Sequence, residues 1–221
     1  MKLLERAIGM LAPLVCQGCG QEGAVICSSC VVSVRMVPSR CYRCHRATVE
    51  FRTCPACRRK TPLKRVVPLV MYDGVITESV HALKYARLQQ AASEMVHLFP
   101  CPVMFDPSAV YVPVPTTNQR VRIRGYDQAV LLSRAFSQKT HATQKVLLRR
   151  VGKTHQVGAS GKLRREQLQG AFAVQGRITR LPKHVVLVDD VLTTGSTLEE
   201  AAKTLHAAGV TTIEAVVVAQ A

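Results

Sequence analysis

The chain has 221 residues, of which 48% are hydrophobic, and 30 basic against 14 acidic residues give it a formal charge of +16. This composition supports a sizeable core and excludes a low-complexity chain. No apolar stretch reaches the roughly 20 residues that a membrane-spanning helix needs, so we expect no membrane span.

Residues 1–15 predict a helix that packs on the rest of the protein, because their apolar side chains fall at helical spacing. The apolar run is like the core of a secretion signal. However, Glu5 lies where such a signal is basic, and no small-x-small cleavage site precedes Cys16. We therefore expect a cytoplasmic protein.

Eight of the nine cysteines form four Cys-x-x-Cys pairs between residues 16 and 57. This regular spacing is typical of tetrahedral Zn2+ sites and predicts a double zinc ribbon over residues 16–60, with two structural sites of four thiolates each. Sequential pairing closes shorter loops at a lower entropic cost, but interleaved pairing stays open. The predicted ligands are Cys16, Cys19, Cys27, Cys30, Cys41, Cys44, Cys54 and Cys57.

A second domain is predicted over residues 66–221, after a linker marked by basic residues at 58–60 and 64–65 and by two prolines. Strands and helices alternate in it, which is typical of an α/β fold with a mostly parallel sheet and helices on both faces. The predicted strands are 66–72, 110–112, 172–174, 185–188 and 212–218, helical spacing covers 75–99, 128–140 and 198–208, and exposed loops are predicted at 120–127 and 147–170.

Positive charge is concentrated in two blocks of the chain. Residues 1–65 contain twelve Lys or Arg against three acids, and residues 118–165 contain twelve against one. Concentrated positive charge favours anionic partners, so both blocks indicate contact with phosphates, nucleic acid or both.

The stretch Val185–Thr197 points most directly to a ligand. A short β-branched strand runs into Asp189 and Asp190, and a loop of small and hydroxyl residues then leads into a helix. In open α/β sheets, ligands bind at the carboxyl ends of the strands. The loop N–H groups and the helix N-terminus favour a phosphate, and the carboxylates suit sugar hydroxyls or Mg2+ held through water.

This stretch resembles the phosphoribosyl-pyrophosphate (PRPP) motif of type I phosphoribosyltransferases. In that family the paired acids bind the ribose hydroxyls, the loop wraps the 5-phosphate, and a nucleophile displaces pyrophosphate. The resemblance implies Mg2+ with PRPP, catalytic roles for Lys84, Asp189 and Asp190, and a lid near 149–165. The PRPP contacts that it implies are Lys84, Tyr85, Asp189, Asp190, Val191, Leu192, Thr193, Thr194, Gly195, Ser196 and Thr197.

Further segments resemble the ComF/GntX family, bacterial phosphoribosyltransferase-like proteins that have an amino-terminal zinc ribbon and are linked to DNA uptake in competence. Two residues depart from the family: Asp127 stands where Asn is usual, and Gln167 stands near where Asn is common. Besides the cysteine pairs, the matching segments are Tyr72-Asp73-Gly74, His81-Ala82-Leu83-Lys84-Tyr85, Val112-Pro113-Val114-Pro115, Arg124-Gly125-Tyr126-Asp127-Gln128-Ala129, Gln156, Arg164-Arg165 and Gly170-Ala171-Phe172.

Three functions are compatible with these resemblances. The first is a PRPP-binding transferase that acts in DNA uptake on an unidentified acceptor, and the intact acid pair and phosphate loop favour it. The second is a non-catalytic protein that binds single-stranded DNA, and the third is a zinc-ribbon adaptor for a competence helicase or another uptake protein. The basic residues predicted to face nucleic acid are Arg120, Arg122, Arg124, Arg149, Arg150, Lys153, Arg164 and Arg165.

Overall fold

A computed structural model describes residues 13–151, 170–176 and 180–221. Most of the predicted N-terminal helix and of the predicted lid lie outside these residues, as do Lys153, Arg164 and Arg165. Within the described ranges, no helix is long and apolar enough to cross a membrane.

The described part of the chain contains a central sheet of five parallel strands in the order β1-β7-β6-β2-β3, with β4 and β5 paired separately as an antiparallel ribbon. This confirms the predicted mostly parallel α/β sheet. The strands are β1 Leu63–Met71, β2 Val110–Pro113, β3 Thr143–Gln144, β4 Leu148–Arg150, β5 Phe172–Val174, β6 His184–Leu192 and β7 Thr212–Gln220. The α-helices are α1 Ser28–Val31, α2 Pro55–Arg58, α3 Gly74–Tyr85, α4 Gln90–Leu98, α5 Asn118–Arg124, α6 Gln128–Thr140 and α7 Ser196–Ala207.

Successive residues of β6 face opposite sides of the sheet and enter two different cores. Val186 and Val188 pack with side chains of α3, α4 and α6, whereas Val185 and Leu187 pack with side chains of α7. Alternation of this kind, with both sides apolar, is what a parallel strand covered by helices on both faces requires. We call these the α3 face and the α7 face.

The cysteine-rich segment covers the outer edge of β1. An isolated antiparallel bridge joins Met36 to Val70, and a second one joins Arg52 to Arg65. In addition, Met71 N donates to Arg35 O at 2.8 Å. These contacts give partners to backbone groups that an uncovered edge strand would leave unpaired.

Strand β1 begins at Leu63, so Lys64 and Arg65 belong to the sheet and the predicted basic linker at 64–65 is wrong. Arg65 is largely buried, and its Nε lies 2.6 Å from Glu214 Oε1 on β7. Lys64 Nζ donates to Thr212 Oγ1 at 2.6 Å. The two cations are accommodated in β1 because each has an oxygen partner on the neighbouring strand β7.

The predicted loop at 120–127 is wrong over most of its length, because residues 118–124 form helix α5. Thr117 caps this helix by accepting a hydrogen bond from Arg120 N at 3.3 Å. Gly125 ends it in the left-handed conformation, at φ 85°. Arginine is a good helix former, so a run of arginines between two capping residues folds as a helix despite its charge.

Two other predicted stretches differ in part. Helical spacing over 75–99 resolves into α3 and α4, which are separated by four residues that include Arg87 in the left-handed region, at φ 57°. Within the predicted loop at 147–170, Leu147 and Leu148 are buried, and β4 pairs with β5. The remaining residues of that loop, 152–169, lie outside the described part of the chain.

Candidate functional site

The two aspartates are the sixth and seventh of the nine residues of β6, near the carboxyl edge of the sheet. Asp190 is 5% exposed, and Asp189 is partly buried. Asp190 N donates to Asp189 Oδ1 at 2.8 Å. Because β6 alternates between the two faces, the two carboxylates are directed to opposite sides of the strand.

A chain of polar groups from the α3 face holds the side chain of Asp190. Lys84 Nζ, on the last turn of α3, lies 2.7 Å from Asp190 Oδ1. Gln128 Nε2, at the start of α6, donates to Asp190 Oδ2 at 3.0 Å, and Arg124 Nη1 donates to Gln128 Oε1 at 2.6 Å. Both oxygens of the buried carboxylate therefore have partners before any ligand binds.

Gln128 and Arg124 were not predicted to support the acid pair. Arg124 was predicted to face nucleic acid, but it is buried, and its guanidinium lies over the ring of Tyr85 at 5.3 Å. Tyr85 itself is exposed beside Lys84. The signal that could have identified Gln128 is its position as the first residue of a helix that begins near the carboxyl edge of the sheet.

Burial raises the pKa of Asp189 to about 8, and the negative charge of neighbouring Asp190 acts in the same direction. Two carboxylates this close do not ionise independently, because the negative charge of one disfavours ionisation of the other. Additional positive charge near the pair would favour the form in which both are ionised. A divalent cation or a set of hydroxyl donors would supply what the pair lacks. The oxygen-rich donor set fits Mg2+ held directly or through water.

Asp127 serves the same edge of the sheet as a capping residue. Its Oδ1 accepts from Ala129 N at 2.9 Å, at the start of α6, and its Oδ2 accepts from Thr116 N at 2.9 Å. Burial raises the pKa of Asp127. The acid that departs from the family pattern thus uses both carboxylate oxygens to join α6 to the loop after β2, where an asparagine would offer one acceptor.

The loop after β6 has the backbone arrangement of an anion site. Gly195 is in the left-handed region, at φ 73°, and directly precedes the 12-residue helix α7. A glycine has no side chain with which to cap the first N–H groups of that helix. Thr194 Oγ1 and Ser196 Oγ lie 2.8 Å apart at the same point. Ser196 N donates to Thr194 Oγ1 at 3.4 Å. The hydroxyls and the other N–H groups of the first turn are suited to a phosphate.

The eight ribbon cysteines form two groups of four, in which all ligand atoms of a group lie within 4.8 Å of one another. The first group is Cys16, Cys19, Cys27 and Cys30, and the second is Cys41, Cys44, Cys54 and Cys57. The structure thus has the sequential pairing, not the interleaved one. Both groups could hold a metal ion, and four thiolates suit tetrahedral Zn2+.

The thiols of each group perturb one another, as expected of metal-ligand clusters. Burial raises the pKa of Cys16, but hydrogen bonds from backbone N–H groups, chiefly that of Cys27, outweigh it and lower the value to about 6. Hydrogen bonds with Cys16 and Cys27 raise the pKa of Cys30 to about 12. A bound cation would allow all four to be thiolates.

The basic residues predicted to face nucleic acid that lie in the described part of the chain differ in exposure. Arg120 and Arg122 are exposed on α5, and Arg149 is exposed on β4. Arg150 is different, because it stacks on Phe172 at 5.2 Å, and both burial and the charge of Arg120 lower its pKa. The structure thus leaves Arg120, Arg122 and Arg149 exposed, stacks Arg150 on Phe172 and directs Arg124 inward.

The parallel sheet, the acid pair at the end of β6 and the loop that follows define a phosphoribosyltransferase-like protein. The family model described as Phosphoribosyl transferase domain matches residues 132–221. A solved structure, that of the allosteric regulatory enzyme of purine biosynthesis, is similar at 19% identity and a TM-score of 0.38, over 68% of this chain and 28% of that one.

Curated relatives match most of the chain in one case and about half of it in another. The DNA utilization protein YhgH of Escherichia coli K12 is 31% identical over 205 residues, which cover 86% of this chain and 87% of the relative. Competence protein F of Haemophilus influenzae is 41% identical over 111 residues, covering 49% of this chain and 48% of that protein. The chain belongs to the ComF/GntX family of phosphoribosyltransferase-like proteins.

Proposed function

We propose that the protein binds PRPP together with Mg2+ at the carboxyl edge of β6 and acts in DNA uptake. The observation that carries this proposal is the placement of the acid pair. Asp190 is buried and both of its carboxylate oxygens have partners, and burial raises the pKa of Asp189. The pair lies between Lys84 on one side and, on the other, the N-terminus of α7, where Gly195 provides no side-chain cap. The names of the relatives, DNA utilization protein and Competence protein F, support the cellular role.

In this proposal the two ends of the ligand lie on opposite faces of the sheet. The 5-phosphate accepts hydrogen bonds from the loop Thr193–Thr197 and from the first N–H groups of α7. The ribose hydroxyls donate to Asp189 and Asp190, and the pyrophosphate lies toward Lys84. Mg2+ would neutralise the pyrophosphate charge as it leaves the anomeric carbon.

The residues of the chain act mainly by positioning and by electrostatics. The Lys84–Asp190 contact keeps a cation at the pyrophosphate end without a free, mobile side chain. Arg150 lies close enough to Asp189 for that carboxylate to raise its pKa, so it can add positive charge at the mouth of the site. No residue has to form a covalent bond with the ribose.

Calorimetric titration with Mg2+ and PRPP tests this site. We expect the double substitution Asp189→Asn and Asp190→Asn to abolish measurable binding, because both hydroxyl acceptors lose their charge while their shape is kept. Asp106→Asn, at an exposed carboxylate outside the site, should bind like the wild type. Unchanged affinity in the double variant would refute the proposal.

A second function is supported by the exposed arginines of α5. Arg120 and Arg122 project from a short helix beside the site, where they can contact a nucleic-acid backbone. We expect single-stranded DNA binding that weakens steeply as salt rises, and Arg120→Ala with Arg122→Ala should lower the slope of that salt dependence by about 1–2. If PRPP displaces the DNA, the two ligands share phosphate contacts; if not, the basic surface is a separate site.

A further inference from the structure

The second four-cysteine group carries a tyrosine into the core next to the phosphate loop. Tyr42 follows Cys41 directly and stands two residues before Cys44. It is 4% exposed and packs in the α7-face core with Leu192, at the end of β6, and Leu198, on α7. A residue enclosed by two metal-ligand positions thus lies against the proposed ligand-binding loop.

The ring of Tyr42 lies directly on the backbone of Gly195. A Cβ atom added at Gly195 would come within 2.8 Å of both Cδ2 and Cε2 of that ring. Such a distance is far inside van der Waals contact, so the ring leaves room for no side chain at this position. Gly195 is therefore required by its left-handed φ and also by the proximity of Tyr42.

Tyr42 and the next residue, Arg43, also make polar contacts with the first turn of α7. Tyr42 Oη donates to Glu199 Oε1 at 2.8 Å and lies 2.9 Å from Thr61 Oγ1. Arg43 Nε lies 2.9 Å from the same Glu199 oxygen, and both side chains are largely buried. Arg43 thereby neutralises a carboxylate that would otherwise repel an anion at the helix N-terminus.

The first four-cysteine group makes no equivalent contact among the described residues. The positions that correspond to Tyr42 and Arg43 are Gln17 and Gly18. A Cβ at Gly18 would meet Cys30 Sγ at 2.9 Å and Val75, on α3, at 3.1 Å. The two groups share their ligand pattern, but only the second reaches the phosphate loop.

We propose that Tyr42 is a positioning residue for the phosphate loop, so that the second metal group, by fixing the Cys41–Cys44 turn, sets the affinity for a sugar 5-phosphate. The proposal rests on the proposed PRPP site and names a second part of the chain that controls it. Tyr42 and Arg43 do not contact the ligand in this arrangement. They fix the backbone of Gly195 and the charge at Glu199, and those in turn define where the phosphate is held.

The test compares Tyr42→Ala and Tyr42→Phe with Gln17→Ala, the matched position in the first group, by calorimetry with ribose 5-phosphate, pyrophosphate and PRPP. Zinc content and thermal unfolding are measured for each protein. We expect Tyr42→Ala to weaken ribose 5-phosphate and PRPP on the order of 10- to 100-fold, because small displacements of a binding loop are costly. Pyrophosphate affinity should be unchanged, which general structural damage would not allow, and Gln17→Ala should match the wild type.

Wild-type affinity for ribose 5-phosphate in a zinc-loaded Tyr42→Ala protein would overturn the proposal. If Tyr42→Ala fails to keep zinc, Tyr42→Phe and Glu199→Gln are combined in a double-mutant cycle. Coupled effects on ribose 5-phosphate affinity support the proposal, and additive effects overturn it. The proposed PRPP site is tested separately, because loss of binding in the Asp189→Asn, Asp190→Asn variant supports that site whatever Tyr42 does.

Discussion

The two four-cysteine groups have the same ligand spacing, Cys-x-x-Cys, but contact different faces of the sheet. In both, the first and third cysteines are buried and the second is exposed. The first group lies on the α3 face, where Glu94 of α4 accepts hydrogen bonds from Val25 N at 3.0 Å and Ile26 N at 2.7 Å. The second group contributes Tyr42 to the α7 face. The ligands make the groups stable, and the residues between the ligands decide which part of the fold each group supports.

Each cysteine group lies on the face of the sheet that holds one end of the proposed ligand. Lys84, at the pyrophosphate end, is on α3, and Val75 at the start of the same helix contacts the first group. Gly195, at the 5-phosphate end, contacts the second group. We therefore expect substitutions on the α3 face to lower mainly the affinity for pyrophosphate. Substitutions on the α7 face should lower mainly the affinity for the 5-phosphate.

The largest effects should come from the cysteines themselves. Cys27→Ser and Cys54→Ser replace the buried third ligand of the first and second groups, and both should lower stability by several kcal/mol because metal binding is coupled to folding. At temperatures where both remain folded, Cys54→Ser should weaken ribose 5-phosphate roughly ten-fold or more, and Cys27→Ser less than about two-fold. Zinc analysis, thermal unfolding and calorimetry measure this. Equal losses of affinity would remove the distinction between the groups.

Lys84→Met tests the other end of the ligand. It leaves Asp190 with Gln128 as its remaining described partner, and breaking a largely buried ion pair of this kind costs about 3 kcal/mol. We expect a large loss of pyrophosphate affinity and a smaller loss of ribose 5-phosphate affinity, because Gln128 still holds Asp190; this order is the reverse of that expected for Tyr42→Ala. Chemical unfolding gives the stability and calorimetry the two affinities. Lys203→Met, at an exposed cation on α7, is the control.

Glu94→Ala removes the anchor of the first group without touching a cysteine. Two partly buried N–H groups lose their acceptor, which should lower the free energy of unfolding by about 2 kcal/mol. Affinity for ribose 5-phosphate should not change, because Glu94 serves the α3 face. Glu78→Ala, at an exposed glutamate on α3, controls for the loss of charge. A loss of ribose 5-phosphate affinity in Glu94→Ala, measured under conditions where the variant is fully folded, would contradict the separation of the faces.

A further prediction concerns the pH dependence of stability. The pKa of Asp189 rises from 3.8 to about 8 on folding, so the native state binds the proton more tightly than the unfolded state. Stability contributed by this group is therefore lost as pH rises from about 4 through 8. Asp189→Asn should flatten the fall in stability over that interval, as measured by unfolding at a series of pH values. An unchanged slope would show that Asp189 titrates normally.

Several parts of this architecture follow from short-range patterns. Regular Cys-x-x-Cys spacing identifies eight candidate ligands, and a β-branched run before Asp189 and Asp190 identifies the strand, although β6 continues past the two acids to Leu192. Such features are local, because a few adjacent residues contain all the information. Helix α5 also had local signals, in Thr117 and Gly125, which the density of arginines obscured.

Other parts depend on contacts between distant segments. Tyr42 meets Glu199 across 157 positions of sequence, and Gln128 meets Asp190 across 62. Nothing in the sequence near Tyr42 distinguishes it from an ordinary ribbon residue. The same is true of Arg124, whose burial is decided by Tyr85 and Gln128 and not by its own charge.

The pairing of β1 has a consequence for the order in which the protein folds. On the sheet side its partner is β7, whose residues follow it at the far end of the described chain, whereas on the outer side Met36 and Arg52 precede it closely. Forming the β1–β7 contact requires the closure of a long loop, which carries an entropic cost. During synthesis, β1 can associate early with the cysteine-rich segment, which would shield one edge of an apolar strand until β7 is made.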